Sequence, residues 1–212
     1  LAPLTLELAR WGVSDPKALP WLDTPDTAKI DQARDVLRGL EAIDSDNRIT
    51  AMGTAMAGLP VHPRLAHMML RGAQLGLDQV ACALAALLSD RDFMRGRGAD
   101  LRLRIDAIIK GQAPKMINEA AKQLARRLAM VMKQSQLGTS AGSDGKVDHA
   151  DQVGLLLAFA YPDRIGERRK GQDARYRLSG GRGGVLPNHD GLASEPYIAV
   201  AELDGQAREA KI

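Results

Sequence analysis

Four stretches between His62 and Lys133 carry apolar side chains at three- and four-residue spacing, with only short connections between them. A helix with one apolar stripe has to bury it. Four such helices in succession do so against one another, so this part of the chain is expected to form a helical bundle. His62-Pro63 opens the first, with Leu65, Met68, Met69, Gly72 and Leu75 inward and Gly76 at its end. Asp78 stands where a cap for the second belongs, ahead of Val80, Leu84, Leu87 and Leu88. Asp100 does the same for a third, with Leu101, Ile105, Ile108 and Ile109. The fourth runs from about Pro114 to Lys133 and turns Ile117, Ala121, Leu124, Leu128 and Val131 inward.

The flanks read differently. Ala2 to Gly12 is an apolar helix with Leu4, Leu8 and Trp11 on one side. Thr24-Pro25 reads as an N-cap and first-turn proline for a helix that carries Ile30, Ala33, Leu37 and Leu40 on one face. Turn-prone Ser45-Asp46-Asn47 separates the triplets Ala42-Ile43-Asp44 and Arg48-Ile49-Thr50, which predicts a short hairpin. Helix, helix, hairpin is the outline of a winged helix. Beyond the bundle, Ser, Gly and Thr dominate Ser135 to Asp148, as in a linker. Gln152 to Tyr161 reads as a helix stopped by Pro162. Arg175-Tyr176-Arg177-Leu178 and Val185-Leu186 flank the cluster Gly180 to Gly184 as a strand pair, and Tyr197 to Ala201 is a further strand. The last residues read as one strand more. A sheet that stops there, and a first residue that is Leu1 rather than Met, lead to the expectation of a fragment cut inside a β-rich region.

The search for chemistry yields no catalytic constellation. A phosphate-binding loop needs glycine amides, a Lys and a magnesium-binding hydroxyl. The nearest approach, Gly138 to Val147, has Gly145-Lys146 but Ser140 for the leading glycine and Val147 for the hydroxyl. One cysteine, Cys82, excludes an internal disulfide and a multi-cysteine metal site, and its apolar neighbours predict a buried thiol. His62, His67, His149 and His189 are too scattered for a zinc site. No serine sits in a nucleophile-elbow sequence, and Asp44 and Asp46 lie in the predicted turn. No apolar run approaches membrane-spanning length and no secretory signal is present, so cytoplasmic residence is the expectation.

Charge is informative through its distribution. The formal net charge is only +3, yet Arg91 to Lys133 holds eleven Lys or Arg against four Asp or Glu, a local excess of +7. Such a block suits a polyanion. Aromatic residues are 3% of the chain, which makes base stacking on rings a minor element of any nucleic-acid contact. Lys115, Lys122, Arg126 and Lys133 fall within a narrow arc at helical spacing, opposite Ile117, Leu124, Leu128 and Val131. Glu119 beside Lys122 partly neutralises that arc, and a plain solvated face remains the alternative. Arg91, Arg95, Arg97, Arg102 and Arg104 form a second cluster, in and after a glycine-containing loop; Arg102 can instead pair with Asp106 along a helix. Arg168-Arg169-Lys170 and Arg182 are further exposed cations in prospect.

The run Leu59-Pro60-Val61-His62-Pro63-Arg64-Leu65-Ala66, followed by Leu87-Leu88-Ser89-Asp90-Arg91-Asp92, resembles the segment after the motor in DEAH/RHA-box helicases of superfamily 2, nearest to the bacterial HrpB-type. Leu40 to Gly53 resembles the wing of that family. Asp100-Leu101-Arg102-Leu103-Arg104, Ala160-Tyr161-Pro162-Asp163-Arg164-Ile165, Arg182-Gly183 and Glu195-Pro196 extend the likeness over nearly the whole chain. The resemblance implies a mainly α fold with a smaller β-rich part. A winged helix at 1–58 would be followed by a ratchet-like helical bundle at 59–136, a linker at 137–149 and a truncated OB-like β region at 150–212. It further implies that ATP and Mg are handled by RecA-like motor lobes of the same parent chain, which this sequence lacks. The fragment itself would then have no cofactor and no ATPase activity.

On this reading the chain is a helicase accessory region that contacts single-stranded RNA or DNA through phosphates. Arg95, Arg97, Arg104, Arg126 and Lys133 are the candidate contacts, with Lys122 in support. Two alternatives stay open. A stand-alone winged-helix regulator would need a basic reading helix, but Asp26 to Gly39 balances Lys29, Arg34 and Arg38 with Asp26, Asp31 and Asp35. A structural docking module would leave every basic face wet.

Overall fold

The computed structural model describes residues 1–13, 15–90, 93–94, 98–135, 137–138, 149–171, 173–204 and 209–212. Eight α-helices come first in chain order: α1 (Ala2–Arg10), α2 (Thr27–Gly39), α3 (Ala51–Ala57), α4 (Pro63–Gln74), α5 (Asp78–Ser89), α6 (Arg102–Ile109), α7 (Lys115–Gln134) and α8 (His149–Ala160). A small mixed sheet follows, made of β1 (Ile165–Arg168), β2 (Arg175–Leu178), β3 (Gly183–Val185), β4 (Tyr197–Ala199) and β5 (Glu209–Lys211). The molecule is therefore mainly helical with a five-stranded sheet, in the order β4-β1-β2-β3-β5. All neighbours are antiparallel except β3 and β5.

The four bundle helices form where their periodicity placed them, as α4 to α7. His62 caps α4 by accepting from the Arg64 N–H at 3.3 Å, and Pro63 takes the first helical position. Residues between Ala2 and Ala160 share one apolar cluster, with α4 wedged between α5 and α8 and α7 laid against α5. Gly72 is the point of closest approach: a β-carbon there would stand 2.8 Å from the Ala81 Cβ and 2.9 Å from a Leu156 methyl. Helix α8, expected with the β-rich part, thus belongs to the helical core. The sheet leans on α8 through β4 and has a small core of its own around Tyr176. The Tyr176 hydroxyl donates toward the Leu192 and Glu195 carbonyls at 2.8 and 3.0 Å.

Several local expectations need correction. Trp11 is 68% exposed, and Leu6, not Leu4, joins Leu8 in the core. Helix α1 stops at Arg10, Trp11 is its C-cap, and Gly12 (φ 74°) turns the chain away directly after it. Asp26, not Thr24, caps α2, because its carboxylate accepts from the Ala28 and Lys29 N–H groups at 2.8 and 3.4 Å. Asp78 is the first residue of α5 and makes no cap bond. The hairpin after α2 narrows to one bridge, Ile43 to Ile49. Helix α3 follows it directly, capped by Thr50, whose hydroxyl accepts from the Gly53 N–H at 2.9 Å. Gly53 is required there, since a β-carbon would sit 2.0 Å from the Ala42 carbonyl oxygen.

Candidate nucleic-acid interface

Helix α7 is 20 residues long, about 30 Å at 1.5 Å per residue. It sorts its side chains as the periodicity predicts. Ile117, Leu124, Leu128 and Val131 are buried in the core, whereas Lys115, Lys122, Arg126 and Lys133 are exposed. Burial of the apolar stripe is what fixes the cationic side outward, because rotating α7 would strand four aliphatic side chains in water. Lys122 shares its charge with Glu119 across 3.1 Å, one turn back. Lys115, Arg126 and Lys133 lie within ion-pair distance of no carboxylate among the described residues. Arg127, next along, is spent on structure: its Nε donates to the Gly58 carbonyl at 2.7 Å and ties α7 to the end of α3.

The other arginine cluster fares differently. Arg91, Arg95 and Arg97 lie outside the described residues. Arg104 is only 2% exposed, and its guanidinium donates to the carbonyls of Asp100, Met94 and Gly98 at 2.8, 3.0 and 3.1 Å. That is a correction to its expected role, since a fork committed to backbone oxygens and shut off from solvent organises the loop before α6. Arg102 pairs with Asp100 at 2.6 Å rather than with Asp106, which holds Lys110 at 3.2 Å instead. Arg168 closes β1. The glycine cluster packs: a β-carbon at Gly180 would meet the Asp163 carbonyl oxygen at 2.7 Å, and one at Gly184 would meet Ile212 at 2.7 Å. The phosphate-loop near miss lies outside the described residues beyond Gly138. Helix α2 offers little free charge, because Arg34 and Arg38 reach Asp31 and Asp35 at 3.0 and 2.7 Å.

Two stretches that carry the family resemblance meet in space, which their sequences do not signal. Arg64, from the run that opens α4, forks onto both oxygens of Asp163 at 2.5 and 3.0 Å and donates to the buried Ala160 carbonyl at 3.1 Å. Its guanidinium carbon lies 5.3 Å from the centre of the Tyr161 ring, and that of Arg164 lies 4.9 Å from it. Arg164 in turn donates to the Ala201 carbonyl at 2.5 Å, past β4. Burial works to raise the Asp163 pKa, but the hydrogen bonds and charge of Arg64, with Arg164 behind them, hold it below the ordinary carboxylate value. The clasp fastens the bundle to the sheet, with its partners 99 positions apart in sequence. One turn along α4, His67 is 5% exposed, and its Nδ1 lies 2.8 Å from the Phe159 carbonyl. A carbonyl can only accept, so Nδ1 carries the proton, and Nε2 receives the Arg71 Nε–H at 3.4 Å. Burial above all, then the charge of Arg71, pushes the His67 pKa down. Cys82 is 1% exposed and its thiol is pushed up to about 12, chiefly by burial, which removes it as a nucleophile near neutrality.

Among the described residues, no group of three His, Cys, Asp or Glu side chains is placed to hold a metal ion, and no helix is long and apolar enough to cross a membrane.

No family model matches the chain. It is 33% identical over 208 residues to the ATP-dependent RNA helicase HrpB of Escherichia coli, an alignment that covers 98% of this chain and 23% of HrpB. The ATP-dependent RNA helicase HrpA of Escherichia coli is 32% identical over 97 residues, covering 43% of this chain and 8% of HrpA. The probable ATP-dependent RNA helicase DHX34 of Homo sapiens is 32% identical over 89 residues, covering 42% and 8%. The chain thus spans less than a quarter of the length of these relatives. A crystal structure of the E. coli DExH-box NTPase HrpB superposes on all of this chain and 24% of its own, with a TM-score of 0.79 at 29% identity. A second, described as an Escherichia coli DEAH/RHA helicase, gives 0.75 at 31% identity over 96% of this chain and 23% of its own.

Proposed function

Because the chain is homologous to the C-terminal region of HrpB, a DEAH/RHA-box ATP-dependent RNA helicase, we propose that it serves as an accessory region of an ATP-driven helicase and holds a single strand of RNA or DNA by its phosphates. In this reading residues 1–58 act as a winged helix, 59–136 as a ratchet-like bundle and 150–212 as an OB-like platform whose first helix, α8, docks it on the bundle, with 137–149 linking the last two. RecA-like lobes elsewhere in the parent chain bind ATP and Mg and supply the stepping force. The accessory region closes over the strand and couples each step to translocation. It carries no ATPase chemistry of its own.

The observation that carries the reading is the outward face of α7, where Lys115, Arg126 and Lys133 are exposed without ion-pair partners among the described residues and Lys122 stands between them. The eighteen steps from Lys115 to Lys133 span about 27 Å, room for several phosphates of an extended strand. Paired cations on α2 leave a duplex-reading winged helix without a comparable surface. The test is fluorescence anisotropy with a labelled single-stranded oligonucleotide. The triple variant Lys115→Gln/Arg126→Gln/Lys133→Gln is expected to bind at least about tenfold more weakly than the parent at low salt. The double variant Lys17→Gln/Lys29→Gln, which removes exposed charge from elsewhere on the surface, is expected to bind as the parent does. Equal losses in both would reduce the interaction to net charge and sink the assignment to α7.

A further inference from the structure

A groove of about 540 Å³ opens beside the cationic face, between α5, the turn after α6 and the first half of α7. Cys82, Ala83, Ile108, Ile109, Ala121 and Ala125 give it apolar walls, and Lys115 and Lys122 stand among its lining residues. Its volume falls within the roughly 300–1,000 Å³ of small-molecule sites. One polar atom in the lining is unaccounted for. The Asn118 side chain donates through Nδ2 to the Gly111 and Ala113 carbonyls at 3.2 and 2.7 Å, which fixes the amide orientation, because a flipped amide would set oxygen against oxygen. Its Oδ1 is buried and accepts no hydrogen bond in the structure. A buried acceptor without a donor costs on the order of 1–3 kcal/mol, so its retention calls for an explanation.

We propose that this groove takes a nucleobase turned out of the bound strand, its flat face against the aliphatic walls, an N–H of its pairing edge donated to Asn118 Oδ1 and its phosphate on Lys115 or Lys122. The inference rests on the phosphate-binding reading of α7 and adds a base-dependent contact to it. Charge complementarity selects the occupant: Glu119 also lines the groove and pairs with Lys122 at 3.1 Å, which leaves Lys115 as the rim cation without a carboxylate partner among the described residues, and an apolar groove with such a cation at its edge suits a nucleotide unit. Every common base carries an N–H on its pairing edge, so the contact discriminates base from no base rather than one base from another. Asn118 Oδ1 is closed to solvent in the structure, so an entering base has to shift side chains at the rim, where Lys115, Lys122 and Gln79 are exposed.

The experiment compares two labelled single-stranded RNA 12-mers of equal charge bound to the 212-residue chain, one oligo(A) and one with four central abasic units. Oligo(A) is expected to bind about tenfold more tightly, from apolar burial of the base and one hydrogen bond, with the same dependence on salt. Ala121→Leu, which fills the groove, is expected to bring oligo(A) down to the abasic value and leave the abasic strand unaffected; circular dichroism melting checks that this variant folds. Salt-sensitive binding that is equal for both strands in the parent protein overturns the groove assignment and leaves the α7 reading intact. Failure to bind either strand overturns both.

Discussion

Replacing Arg64 with alanine should loosen the join between bundle and sheet, and the structure sets the scale. Three hydrogen bonds go, two of them to Asp163 and one to the Ala160 carbonyl. The Asp163 side chain is 47% exposed, so solvent screens its loss and the bidentate pair contributes about 1–2 kcal/mol rather than the value of a buried ion pair. An orphaned Ala160 carbonyl adds about 1 kcal/mol. Loss of the cation–π contact at 5.3 Å adds roughly 0.5–1 kcal/mol. The sum is about 2.5 to 4 kcal/mol, which for a chain of this size lowers Tm by about 5–16 °C. Urea denaturation followed by circular dichroism measures it directly. Arg64→Lys, which keeps the charge but not the fork, should lose about half as much. In a double-mutant cycle, Asp163→Asn should cost markedly less in the Arg64→Ala background than in the parent. A loss under about 1 kcal/mol for Arg64→Ala, or additive effects of the two substitutions, would refute the clasp.

Gly53→Ala puts a methyl 2.0 Å from the Ala42 carbonyl oxygen, and because that atom is backbone it has little freedom to move aside; stability is expected to fall by about 3 kcal/mol or more, read from the urea midpoint, against a small effect for Gly39→Ala, where the space is open. His67, and His62 with it, has a folded pKa below the ordinary value, so the unfolded chain takes up protons that the fold refuses, and stability should fall as pH drops from about 7 to 5. Asp163 has a lowered pKa, so its contribution is present above about pH 4 and is lost as pH falls through the folded value. Urea midpoints at pH 7, 5 and 3.5 separate the histidines from Asp163, and a midpoint that stays flat from pH 7 to 5 would contradict the account of the histidines.

The bundle was legible because each of its helices is long enough to repeat its stripe and carries its own punctuation, as with His62-Pro63 at the start of α4 and Gly76 (φ 73°) after its end. Helix α3 was not, since seven residues make too few turns for a stripe to show among Ala, Met, Gly and Thr. Strand β1 was missed for a related reason. Its inward residue is Gly166, where a β-carbon would stand 3.1 to 3.2 Å from atoms of Ile198, Leu178 and Tyr176, so the side chains that normally announce a strand belong to its neighbours. On the candidate interface, the α7 arc could be read from spacing alone, because one periodicity settles both faces. Arg104 could not. Nothing in the local sequence distinguishes an arginine that folds back onto three carbonyls from one that reaches for a phosphate. The Arg64–Asp163 clasp was hidden by distance along the chain, although both partners lie in stretches that carried the family resemblance.

The salt dependence of single-strand binding tests the central claim most directly. Each phosphate neutralised on a single strand contributes about −0.7 to the slope of log K against log salt, so three or four contacts along α7 predict a slope of about −2 to −3. Raising salt from about 50 to 200 mM should then weaken binding roughly 20- to 50-fold. Removing the charge of Arg126 or of Lys133 should each flatten the slope by about 0.7. A parent slope near zero, or one unchanged by both substitutions, would mean that the cations of α7 do not hold the strand.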